Sequence, residues 1–268
     1  NDNVLSEKDF IYNLLSKFKK DEIYKNPTLH ETFDNDNLYF YLGQKLKKDK
    51  DVINAAKAIS PIIFKDTPQE YREDIGFCES FIYQYFPNIE FAGESAKSQF
   101  IKSNHELIKD LCSKRGRLIM YVKDHYQKDK EIAKLAVSNF GEALEYFSIK
   151  LQDDIEIVKL AINQNPTAVK FASENLKDNN EVIEIAITKD GYTLEFASDR
   201  LKNDESVVFK AINYKRTDEF GGWGSADGIK YSSGGAFKFA SERVRGIKEL
   251  AILALQNGYL YPNLNFNQ

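Results

Sequence analysis

Residues 151–175 read LQDDIEIVKLAINQNPTAVKFASEN, residues 176–200 read LKDNNEVIEIAITKDGYTLEFASDR, and LK follows again at 201–202. The two blocks align without a gap, so Leu151, Leu176 and Leu201 open successive copies of a 25-residue unit. Counting outward gives further openers at Leu46, Tyr71, Ile101 and Tyr126, evenly spaced except for a longer interval between Tyr71 and Ile101. A fixed period of this length marks a repeat architecture, in which one small unit cannot bury its own apolar face and must stack on its neighbours.

Each unit carries the same local signals. The fourth residue is Asp49, Asp74, Asn104, Asp129, Asp154, Asn179 or Asp204. Asp and Asn are preferred helix N-caps, because the side-chain oxygen accepts from an orphan N–H of the first turn. Apolar residues follow at the seventh, eighth, eleventh and twelfth positions, as in Ile157, Val158, Ala161 and Ile162. That spacing lays one apolar stripe along a short helix, and the small eleventh residue suggests a close approach there. The sixteenth residue is Pro61, Gly116, Gly141, Pro166 or Gly191. Gly and Pro both punctuate helices, Gly by permitting a positive φ and Pro by lacking an N–H. A second helix is predicted beyond the break, carrying Leu144, Tyr146 and Phe147, then Val169, Phe171 and Ala172, then Leu194, Phe196 and Ala197. Helices of about ten residues are marginal alone, so the reading is an all-α chain, an α-solenoid of stacked short αα-hairpins.

The rest of the chain is read as variations on this unit. Residues 1–45 form an N-terminal capping helix, with Ser6 as cap and Phe10, Leu14, Leu15 and Phe18 as stripe, followed by a degenerate repeat. Residues 46–125 are divergent repeats and 126–268 are regular ones. The tripeptide Phe-Ala-Ser stands at 171–173, 196–198 and 239–241, with Tyr-Phe-Ser at 146–148. The aromatic is expected in the core and the serine in a local bond near a helix end. In the unit opened by Leu201 the tripeptide arrives late, starting at Phe239 where the period would put it at position 221. The delay comes from YKRTDEFGGWGSADGIKYSSGG (214–235), inserted at the turn.

The F-A-S, L-K-x-D and E-V-x-x-x-A pattern resembles the bacterial repeat family known as domain of unknown function 4116, over residues 126–213 and 236–255. The family's unit looks like two of the units counted here. The resemblance implies a helical repeat fold and carries no activity, cofactor or catalytic residue to transfer.

Composition narrows the function further. The net charge is −4 and the pI about 5.6, which argues against a general nucleic-acid binder, whose surface should carry a basic stripe. Glu131/Lys134 and Glu156/Lys159 read as i, i+3 pairs on solvated helix faces. Cys78 and Cys112 fall at stripe positions and read as buried thiols, with a disulfide between neighbouring repeats as the alternative. No P-loop, H-E-x-x-H or paired C-x-x-C motif occurs, and His30, His105 and His125 are far apart in sequence. GGWGSADG lacks the preceding strand and the lysine of a phosphate cradle. No cofactor, metal or membrane span is expected, and the chain is expected in the cytoplasm, with an upstream segment open because it begins at Asn1. The insert is the best candidate contact region, since insertions in solenoids often lie on the binding face and Trp and Tyr are favoured anchors. Its candidate partner-binding residues are Phe220, Trp223, Asp227, Lys230 and Tyr231. The reading is a non-enzymatic protein-binding scaffold, an inhibitor or immunity protein covering a basic toxin or nuclease. The alternative is a small-molecule binder or enzyme built around the insert.

Overall fold

The computed structural model describes residues 39, 42, 44–214 and 233–258. The capping helix expected over residues 1–20 lies outside them. The described residues are helices joined by short turns, with no strand among them, so the architecture is an all-α repeat. The chain divides into two compact units, Asn1–Ile108 and Lys109–Gln268.

Among the described residues of the second unit the repeat is built from three parts. A long helix comes first, as in Lys130–Asn139, Ile155–Gln164, Asn180–Lys189, Glu205–Ile212 and Lys248–Gly258. A 3-10 arm follows, as in Gly141–Tyr146, Pro166–Phe171 and Gly191–Phe196. A four-residue helix closes the repeat, as in Ile149–Gln152, Glu174–Lys177 and Asp199–Lys202. Side-chain oxygens of Asp129, Asp154, Asn179 and Asp204 cap the long helices. The predicted stripe is the core: Ile157, Val158, Ala161 and Ile162 have no exposed surface, nor do Val182, Ile183, Ala186 and Ile187. Burying a Val or Ile side chain is worth about 1.5–3 kcal/mol, so the stripe supplies what such short helices lack alone.

The second arm is six residues of 3-10 helix rather than a ten-residue α-helix. With three residues per turn, positions three apart share a column, so Val169 and Ala172 both face the core. The aromatic between them falls at the edge. Phe171, Phe196 and Phe239 are therefore half-buried, not core as expected from the sequence. Lys170 and Lys238 each place Nζ 4.6 Å from the ring centroid of the following phenylalanine. The arm stops because Ala172 and Ser173 are extended (ψ 158° and 159°). That conformation frees the Ser173 N–H to donate to the Gln152 carbonyl at 3.0 Å, and the Ser148, Ser198 and Ser241 amides bond to Gln127, Lys177 and Lys202 in the same way.

The glycines at the sixteenth position serve a different end from the one the sequence suggests. None adopts a positive φ; each lies against the next repeat. A Cβ on Gly116, Gly141, Gly191 or Gly234 would stand 2.0–2.5 Å from the carbonyl oxygen of Ala136, Ala161, Ala211 or Ala254. These alanines hold the eleventh position, so the close approach anticipated there is real and glycine is its counterpart. The amide of Gly116 also donates to Asn139 Oδ1 at 2.8 Å, and that of Gly141 to Gln164 Oε1 at 2.5 Å.

In the first unit Asp49 and Asp74 cap the helices Lys50–Ile59 and Ile75–Ile82. Phe64, Phe77 and Phe81 form an aromatic core, with Phe64–Phe81 centroids 4.9 Å apart and Phe77–Phe81 5.2 Å. The extra length between Tyr71 and Ile101 is spent in Glu94–Ser103, ten residues long where the regular repeats have four. Asn104 departs from its predicted role: its Nδ2 donates to the Phe100 carbonyl and its Oδ1 accepts from the Tyr83 hydroxyl, so it closes the preceding helix.

Candidate functional site

The sequence-derived contact residues Phe220, Trp223, Asp227, Lys230 and Tyr231 lie outside the described residues. The roots of their insert are described. The chain leaves the repeat after Tyr214, whose Cβ lies 3.3 Å from where a Cβ on Gly191 would stand. It returns at the arm Ser233–Phe239, where a Cβ on Gly235 would sit 2.1 Å from the Tyr192 hydroxyl. Both roots are thus seated on the preceding arm, Gly191–Phe196. Tyr192 also meets Phe239 edge-on at 6.2 Å, with Lys238 Nζ 5.6 Å from its ring centroid. Beyond the insert the register resumes, because Gly234 meets Ala254 as Gly191 meets Ala211.

The outer face of the long helices carries an ion-pair ladder, whose partners are not those read from the sequence. Lys134 reaches Glu156 of the next repeat at 2.5 Å, Lys159 reaches Glu181 at 2.5 Å and Lys109 reaches Glu131 at 2.7 Å. The i, i+3 reading of Glu131/Lys134 and Glu156/Lys159 gives way because the ninth residue of one unit faces the sixth of the next. Exposed pairs of this kind contribute about 0–1 kcal/mol each and weaken with salt. A double-mutant cycle on Lys159 and Glu181 should therefore give a coupling below ~1 kcal/mol that vanishes at high salt, and the cycle on Glu156 and Lys159 should give none; coupling confined to the latter pair would restore the in-helix reading.

Towards the insert this column changes character. After Lys109, Lys134, Lys159 and Glu184, the ninth residue becomes Phe209 and then Ile252. Phe209 is 47% exposed and Ile252 44%. Phe209 lies on Glu205–Ile212, the helix that runs into the insert, so two large apolar side chains stand in solvent beside its root. The residue types are visible in the aligned repeats, but only the ladder shows that the ninth positions form one column.

A second periodic feature joins successive four-residue helices. The hydroxyls of Ser173 and Ser198 donate to the carboxylates of Asp153 and Asp178, and that of Ser241 donates to Asn203 Oδ1 at 2.7 Å. Each hydroxyl also accepts a local amide, from Leu176, Leu201 and Val244 respectively. The predicted local bond is therefore half of the arrangement. Arg200 Nε adds a bond to Asp178 Oδ1 at 2.9 Å, and Arg243 Nε repeats it on Asn203 Oδ1 at 2.9 Å. The Ser198 hydroxyl foremost, with Arg200 beside it and burial opposing them, holds the Asp178 carboxyl below the usual carboxylate range.

Cys78 and Cys112 are free and buried rather than disulfide-bonded. Burial pushes both thiols up to about 12, with Asp74 adding to the effect at Cys78, so neither is a thiolate nucleophile near neutrality. Among the described residues no group of three or more His, Cys, Asp or Glu side chains is placed to hold a metal ion. A shallow cavity of about 350 Å³ is lined by Lys123, Asp124, Gln127, Glu145, Tyr146 and Phe147. No helix among the described residues is long and apolar enough to cross a membrane.

These features define a tandem helical-repeat protein. Residues 104–148, 129–177 and 179–217 match the family described as Domain of unknown function (DUF4116). The match begins earlier than the resemblance read from the sequence, and residues 236–255 fall outside it. The first two matched segments overlap and each spans about two of the 25-residue units, as the resemblance implied. No curated protein and no solved structure matches the chain.

Proposed function

We propose that this chain is a non-enzymatic, cytoplasmic protein-binding scaffold that uses the insert and the repeat face beside it. It acts as a bacterial inhibitor or immunity protein that occludes a basic partner such as a nuclease or toxin. The observation that carries the reading is the replacement of the charged column by exposed Phe209 and Ile252 where the insert begins. Large exposed apolar side chains rimmed by charge mark interaction surfaces on soluble proteins. Here the rim includes the pairs Lys210–Glu184 and Arg243–Glu205. The acidic total favours a basic partner through complementary potentials.

The test is affinity capture from bacterial lysate with quantitative mass spectrometry. Wild-type chain is run beside Phe209→Asp, Trp223→Ala and a control, Lys134→Ala, on a distant part of the ladder. A basic protein captured at constant stoichiometry by wild type and control, and reduced at least about tenfold by either aromatic substitution, is the expected result, a hot-spot loss of ~1.4 kcal/mol or more. Capture insensitive to both substitutions would remove the site from this face.

A further inference from the structure

We propose that the stack formed by the second unit has a built-in opening point, the junction between the short helices Lys123–Tyr126 and Ile149–Gln152. The serine bridge that joins successive short helices elsewhere is missing here, although the backbone is ready for it. Ser148 has φ −64° and ψ 155°, close to −61° and 159° at both Ser173 and Ser198 and to −60° and 157° at Ser241. Its amide keeps the junction bond to the Gln127 carbonyl at 2.7 Å. Its hydroxyl makes no cap bond. The reason lies at the end of the preceding short helix, where the bridged junctions offer the side-chain oxygen of Asp153, Asp178 or Asn203 and this one has Lys128, whose ammonium cannot accept the hydroxyl proton.

Two further features mark the same junction. The arginine that clamps the Asp178 and Asn203 turns, Arg200 or Arg243, is Lys150 here, just as it is Asn175 at the bridged Ser173 junction. The 350 Å³ cavity opens here, between Lys123, Asp124 and Gln127 on one side and Glu145, Tyr146 and Phe147 on the other. In a stacked repeat protein stability is close to a sum of unit and junction contributions, so a junction lacking its polar bridge opens first. Residues 173–214 and 233–245 then behave as the tighter block, and that block carries Phe209 and the roots of the insert. The inference does not depend on the proposed function.

Hydrogen–deuterium exchange on the full chain tests it. Amides of 149–152 are expected to exchange about threefold to tenfold faster than those of 174–177 and 199–202, the factor set by one net hydrogen bond. Lys128→Asp recreates the Asp153–Asp154 sequence of the next repeat and gives the Ser148 hydroxyl its acceptor. It should slow exchange at 149–152 by about the same threefold to tenfold factor. Asp153→Ala should speed exchange at 174–177 correspondingly. Both positions are exposed, so neither change disturbs the core. Exchange at 149–152 no faster than at the bridged junctions would overturn the proposal. So would a Lys128→Asp chain whose exchange there is unchanged.

Discussion

Excision of residues 215–232 is expected to leave a folded chain that no longer captures its partner. Joining Tyr214 to Ser233 restores a 25-residue unit running from Leu201 to the opener Val244, since the excised segment is the whole of the excess over the regular spacing. The joined sequence supplies every required position: Ala211 and Ile212 in the stripe, Gly234 at the close approach, and Phe239, Ala240 and Ser241 at the end of the arm. The geometry on both sides of the cut is already that of an uninterrupted repeat. Gly234 lies against Ala254 and the Ser241 amide donates to the Lys202 carbonyl at 2.9 Å. The helix Glu205–Ile212, eight residues where Asn180–Lys189 has ten and Lys248–Gly258 eleven, gains room to complete its last turn. Loop closure becomes cheaper by about 0.6 kcal/mol for each halving of loop length, so stability should rise by up to ~2 kcal/mol. Circular dichroism and thermal unfolding would show unchanged or higher stability, and the capture assay would show the loss. A sharp fall in melting temperature would mean that the insert belongs to the core. Retained capture would place the site on the repeats themselves.

Gly191→Ala should destabilise the chain by about 1–3 kcal/mol, the usual cost of forcing an extra carbon into a packed contact. The added Cβ would stand 2.2 Å from the Ala211 carbonyl oxygen and 3.1 Å from its carbon, both backbone atoms that move only if the two repeats separate. Local preference predicts the opposite sign, because replacing Gly by Ala at a permissive position stabilises by about 0.4–1 kcal/mol. Gly76→Ala is the matched comparison. It lies in the first turn of Ile75–Ile82, where the nearest atom to an added Cβ is Asp74 Oδ1 at 3.6 Å, an ordinary contact. Chemical denaturation of the two variants should therefore shift in opposite directions. Both shifting upward would show that the Gly191 contact relaxes at no cost and that glycine is not needed for stacking.

The periodic pattern alone was enough to locate the caps other than Asn104, the buried stripe and the small eleventh residue. Each depends on side chains within one unit, and a helix of known period brings those to a fixed place. The tertiary structure decided everything that depends on the offset between units. The pairing of Lys134 with Glu156, the bond from Ser173 to Asp153 and the close approach at Gly191 all join one repeat to the next, and no local preference sets which of several nearby charges or carbonyls meet. The arm's 3-10 form was illegible for the same reason, since its break at Ala172 and Ser173 exists to make a bond to the previous short helix. The aromatic residues of the insert could be singled out by composition, whereas Phe209 and Ile252 looked like ordinary members of their helices. Their significance is that of a column, and a column exists only once repeats are stacked in register.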